Sequence, residues 1–197
     1  MSKVQLQGNV SGTGVFTIAS PNSNTDRTLT LPDNTGTLLT SGSAIQKSQL
    51  PAGTVLQVVS TAFNPGLTTT TSTTYVNSGL SLGITLSSAS NRVLMLFNGG
   101  HAYSDSYPNG MVEVICRQSS TTYSSGNDLS GATGFGMTQI YNSTTLSTAP
   151  HSISYLDTTP GSTTPTYRIF FKSRSGGLVV WQEGSSQVSF TLLEIAG

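Results

Sequence analysis

Residues 25–42, TDRTLTLPDNTGTLLTSG, limit the fold more than any other stretch, because they spell a strand pair without the material for a core of its own. Arg27, Leu29 and Leu31 alternate with Thr28 and Thr30, the period of a half-buried strand. Pro32 stops that strand. Asp33-Asn34-Thr35-Gly36 supplies reversal residues, with Asn and Gly tolerant of positive φ, and Thr37-Leu38-Leu39-Thr40 returns. Together with Val15, Phe16 and Ile18, this leaves only a handful of large apolar side chains in the first 45 or so residues. A segment below about 40 to 70 residues with so thin a core needs disulfides, metal or other chains. Cys116 is distant and solitary and no metal-ligand cluster is evident, so other chains remain.

Composition narrows the rest. In 197 residues there is room for one ordinary domain plus a small extra element. Only 8% of residues are charged, the formal net charge is zero, and Ser plus Thr make up nearly a third. The eight basic residues are scattered singly, which argues against a phosphate-neutralising nucleic-acid surface. Polar residues follow Met1-Ser2-Lys3, so no secretory leader is expected, and the apolar run Val93 to Phe97 is too short to span a bilayer. Many Val, Ile and Thr in a neutral chain point to β structure rather than disorder.

Gly, Pro, Asn and Ser punctuate the chain at short intervals and helical periodicity is absent, the rhythm of an all-β protein. Strands are expected at 54–60, 79–86, 92–98, 111–117, 135–141, 153–156, 167–172, 178–182 and 187–195, enough for a two-sheet sandwich. Val93 to Phe97 is apolar on both faces, which calls for a central strand or one covered by a neighbouring subunit. Val188, Phe190 and Leu192 alternate before Leu193 and Ile195 take over, a switch that suggests a bulge in the last strand. Residues 41–53, SGSAIQKSQLPAG, read as a connector, and the threonine-rich 68–74 as an exposed loop or extended edge segment.

Patterns with possible chemistry are few. Gly79-Leu80-Ser81-Leu82-Gly83 matches the G-x-S-x-G elbow, and Asp105 and His151 follow in hydrolase order, yet Ile84-Thr85-Leu86 continues a strand where that motif needs a helix. His101, Tyr103, Asp105 and Tyr107 in GGHAYSDSYPNG are the candidate ligand-binding residues, since aromatic faces with polar edges suit a sugar ring. The same loop would serve equally as a turn packing on a subunit neighbour. His101 and Asp105 alone offer two ligands, too few for a metal, and no cofactor is expected. Trp181 and Cys116 read as packing residues, Asp128 and Asp157 as turn-forming acceptors, and Glu113 with Arg117 as a solvated pair or a contact across subunits.

The string TDRTLTLPDNTGTLLTS resembles a module repeated in tail-fibre and other virion appendage proteins of tailed bacteriophages, where related TLTLPD-x-TGTL strings build an intertwined trimeric stem. STTYVNSGLSLGITLSSASNRVLMLFNGG at 72–100 is similar to the opening of a β-rich head in such proteins. SYLDTTPGSTTPTYRIFFKS and SSQVSFTLLEIAG are similar to how those heads close. The resemblance implies a short N-terminal intertwined β stem over residues 1–46, anchoring to other virion proteins, and a C-terminal antiparallel β-sandwich, jelly-roll-like head over 47–197.

The expectation is a non-enzymatic structural virion protein, made in the host cytoplasm and assembled as a homotrimer. It would be a short fibre or spike contributing to host-surface attachment through a glycan or protein, with no nucleic acid and no membrane insertion. A capsid-decorating or tail-connecting protein without a receptor role is the alternative. A carbohydrate-active tail spike is the lesser one, as such enzymes need paired carboxylates about 5 to 10 Å apart, whereas the acidic residues here fall singly or in turns.

Overall fold

A computed structural model of the chain describes residues 7–8, 10–15, 17–19, 21–28, 30, 33, 35–36, 44–64, 66–105, 108–131, 136–142, 147–182 and 187–197. The chain divides into two units, Met1–Thr40 and Ser41–Gly197. In the first, the described residues form no helix or strand and all are exposed, among them Val10, Val15 and Ile18. Of the residues expected to build its strand pair, Phe16, Leu29, Leu31, Pro32, Asn34 and 37–42 lie outside the described set.

The second unit is all-β, and its described residues form ten strands: β1 Val55–Phe63, β2 Thr68–Thr70, β3 Val76–Gly83, β4 Arg92–Ser104, β5 Asn109–Arg117, β6 Thr138–Asn142, β7 Ser147–Asp157, β8 Thr166–Ser173, β9 Val179–Gln182 and β10 Val188–Ile195. They form two antiparallel sheets. One runs β1-β10-β4-β9-β2 with β7 on the free side of β4, and the other runs β3-β8-β5-β6. Among the described residues, helical structure amounts to two single 3-10 turns, Lys47–Gln49 and Ser125–Asn127.

Period-two alternation places the core between the sheets. Val93, Met95, Phe97, Trp181, Phe190 and Leu192 from the first sheet meet Leu80, Met111, Ile115, Tyr167, Ile169 and Phe171 from the second in one buried cluster. Burying each such side chain contributes about 1.5 to 3 kcal/mol, so this contact is the main source of cohesion. Trp181 lies at its centre, stacked at 6.0 Å between the rings of Phe97 and Phe171.

β4 lies in the middle of its sheet, the first of the two placements its apolar run allows. Its first half pairs with β10 and β7, then the register shifts between Asn98 and His101, and residues 103–104 pair with β9. Gly100 takes φ +68° at this shift, a conformation open to glycine. Because the irregularity re-aims the strand instead of ending it, β4 continues to Ser104, well past the expected 98.

One further expectation changes, while the threonine run takes the extended edge place, one of its two readings. The last strand carries no bulge: β10 pairs residue by residue with β4 from Ser189 to Ile195, and the shift lies in β1 between Val55 and Gln57. Alternation in β10 runs on unbroken with Glu194 at the inward position, fully buried. Four donors satisfy it: the Ser87 N–H (2.5 Å) and hydroxyl (2.6 Å), the Asn91 amide (2.7 Å) and the Lys47 ammonium (3.2 Å). These bonds outweigh burial, which alone would raise the carboxyl, and hold it below the ordinary carboxylate range. The threonine run contributes the short strand β2, paired with β9.

Candidate functional site

The outer face of the second sheet is not left to solvent. After β5 the chain returns as a flap along the β6 side of that strand, where Leu129 N–H donates to the Ile115 carbonyl at 3.0 Å and Met137 N–H to the Glu113 carbonyl at 2.7 Å, and its Tyr123 packs over the outer face. Every residue of β5 except Arg117 is therefore buried. Beneath this flap Val114, Cys116 and Phe170 form a second small core, closed from above by Tyr75 and Tyr123.

A groove of about 320 Å³ opens there, lined by Thr73, Thr74, Tyr75, Tyr123, Asp128 and Lys172 among others. Its volume sits at the lower end of small-ligand sites. The two tyrosine rings lie 4.5 Å apart at 34°, and the Lys172 ammonium rests 4.6 Å from the Tyr75 ring centre. The Tyr123 hydroxyl donates to Asp128 Oδ2 at 2.7 Å, while Ser130 N–H donates to Oδ1 at 2.8 Å. Burial and the neighbouring Asp128 carboxylate push both phenols well above the ordinary tyrosine range, so they remain neutral donors. The same two causes push the Cys116 thiol up to about 12, which makes it an inert filler rather than a nucleophile. Chemically the groove can cradle a ring with one apolar face and hydroxyl-bearing edges. Asp128 also makes the turn bond expected of it.

The candidate residues drawn from the sequence lie elsewhere. His101 and Tyr103 fall on strand β4 instead of a loop, on the face opposite the buried Ala102 and Ser104. His101 is exposed beside Pro150, Tyr103 is half-buried beside Thr148 and Val180, and Asp105 follows exposed, its N–H bonded to the Leu178 carbonyl. The three thus share one line of alternation at the end of β4. Tyr107 lies outside the described residues.

Glu113 and Arg117 do not pair. Glu113 is fully buried, accepting from the indole N–H of Trp181 through Oε1 and lying 3.0 Å from His151 Nδ1 through Oε2. Arg117 reaches Asp157 instead, at 2.8 Å, and Asp157 also accepts from the Tyr167 hydroxyl and from Thr159 N–H. His151 spends both ring nitrogens on Glu113 and the Gly99 carbonyl, and Ser81 sits within β3, so the elbow motif has no partner base in His151. The alternation of Glu113 with Met111 and Ile115 was the available signal, since it marks the carboxylate as inward-facing. Tyr123 and Asp128, five apart in one loop, gave the corresponding hint for the groove. No protein-family model matches the chain, and no characterised protein matches it in sequence, so the groove is read from its own geometry.

Proposed function

We propose that the chain is a non-enzymatic structural subunit of a tailed-bacteriophage virion, a homotrimeric short fibre or spike. In this reading residues 1–46 form the intertwined, particle-anchoring stem, and 47–197 form a jelly-roll-like head that contributes to host-surface attachment. The observation that carries it is apolar surface left uncovered within one chain. On the outer face of the first sheet Val58, Leu193, Leu94 and Leu156 lie in register across β1, β10, β4 and β7, forming one aliphatic row. Val58 is 58% exposed and Leu156 40%. The next row, Ser60, Thr191, Leu96 and Ser154, is also uncharged, so a like surface can cover it without stripping water from ions. Val10, Val15 and Ile18 add exposed apolar groups in the first unit.

Gel filtration with light scattering tests the assembly: about three chain masses are expected, and a monomer of the full chain contradicts it. A capsid-decorating or tail-connecting subunit without a receptor role is the second reading. It is favoured by the way Asp128 and Lys172 already have partners inside the groove. Adsorption separates the two. Virions carrying Tyr103→Ala with Tyr75→Ala assemble under both readings but adsorb more slowly only under the first, and trimeric avidity enlarges even a small loss per site.

A further inference from the structure

We propose that Glu113 and His151 form a pH-sensitive lock between the two sheets, in which His151 is held as an imidazolium in the native core and the layers loosen in alkali. Glu113 belongs to β5 of one sheet, whereas His151 on β7, Gly99 on β4 and Trp181 on β9 belong to the other, so this polar chain crosses the core. Both charged partners have 0% side-chain exposure.

Hydrogen-bond accounting fixes the proton. His151 Nε2 lies 2.8 Å from the Gly99 carbonyl, which can only accept, so Nε2 carries hydrogen. Nδ1 lies 3.0 Å from Glu113 Oε2, and the other carboxylate oxygen already accepts from Trp181. Without a proton between these two atoms, lone pairs would face each other out of reach of water, an arrangement that burial penalises. In the proposed lock that proton sits on the ring, as the imidazolium that the raised pKa of His151 favours. Around the imidazole, β5 contributes Glu113, β4 contributes Gly99 and Phe97, and β9 contributes Trp181. Glu113 is the ionisable group bonded to it among the described residues, since the other histidine, His101, lies on the exposed line of β4. Burial by itself pulls the imidazole down, but the Glu113 charge and the hydrogen bonds outweigh it and leave the pKa raised.

The sign follows from linkage. In the unfolded chain His151 titrates near the ordinary value of about 6.5, so above that pH folding takes up a proton. Stability from the lock is complete below the unfolded value and is lost as pH rises towards the raised native one. Guanidinium unfolding of the full-length protein at fixed concentration, followed by Trp181 fluorescence between about pH 6.5 and pH 7.5, reads this directly. That range lies below the ordinary thiol and phenol titrations, so Cys116 and the tyrosines do not contribute. The folding equilibrium constant should fall up to about tenfold per pH unit, and His151→Gln should remove that slope. Equal slopes in the two proteins, or stability rising with pH across this range, overturn the proposal. If His151→Gln does not fold, nitrogen-15 NMR of histidine-labelled wild type decides. Two protonated ring nitrogens at about pH 7.5 are expected, and an unprotonated Nδ1 overturns it.

Discussion

A hydrogen atom in place of a methyl group decides whether His151 can occupy the core. A Cβ at Gly99 would lie 2.1 Å from the imidazole Cε1, deep inside contact distance, and the ring is held on its other side by Glu113. Gly99→Ala should therefore cost about 1 to 3 kcal/mol, the usual range for overpacking, and appear as a lower denaturant midpoint. Glu113→Ala acts in the opposite way, by removal. It strands the imidazolium and the indole N–H together, and breaking a buried pair costs about 3 to 5 kcal/mol. Tyr123→Phe is milder: it deletes one hydrogen bond to Asp128 at a half-buried site, worth about 1 kcal/mol, while the ring still covers Phe170.

Single strands show how a local pattern reaches across the fold. β10 carries the buried Glu194 one residue before its end, and the donors to that side chain come from the 87–91 turn and from Lys47 in the connector, so one carboxylate ties two segments to the sheet end. Its depressed pKa means the stabilisation is present above the ordinary glutamate range and is lost as pH falls through the native value. Glu194→Gln should cost about 2 kcal/mol near neutrality and flatten the acid limb of a stability-versus-pH curve. Each of the nine expected strands overlaps a strand found, because apolar alternation bounded by Gly, Pro and Ser is a local signal. What escaped depended on partners distant in sequence. Gly99-Gly100 reads as a stop until β7 and β9 are there to receive the strand beyond it. Glu194 looked like a break in alternation for the same reason, since its donors lie more than 100 residues away. The groove was half visible: its tyrosine and aspartate share one loop, but Tyr75, just before β3, and Lys172 on β8 are brought together by the pairing of those strands.

At the level of the whole molecule, the aliphatic row and the hydroxyl row beside it form a face whose side chains contribute little to the chain's own core. Leu94→Lys with Leu156→Lys should leave circular dichroism and the denaturant midpoint of the chain nearly unchanged, because both residues point out of the sheet. If that face meets another copy, the same variant should lower the mass in light scattering or make it fall on dilution, because repeated like charges would then face one another. An unchanged mass at every concentration would assign assembly to the first unit alone. The second small core has a practical consequence for such measurements. Its thiol is buried beneath Tyr123 and kept neutral, so maleimides and thiol-directed nitroxide reagents, which need a thiolate to attack them, should pass it by. A cysteine introduced at Ser60 or Ser154 would then be the one reactive position per subunit, and spacings between paramagnetic tags could be read in the assembled protein without first removing Cys116.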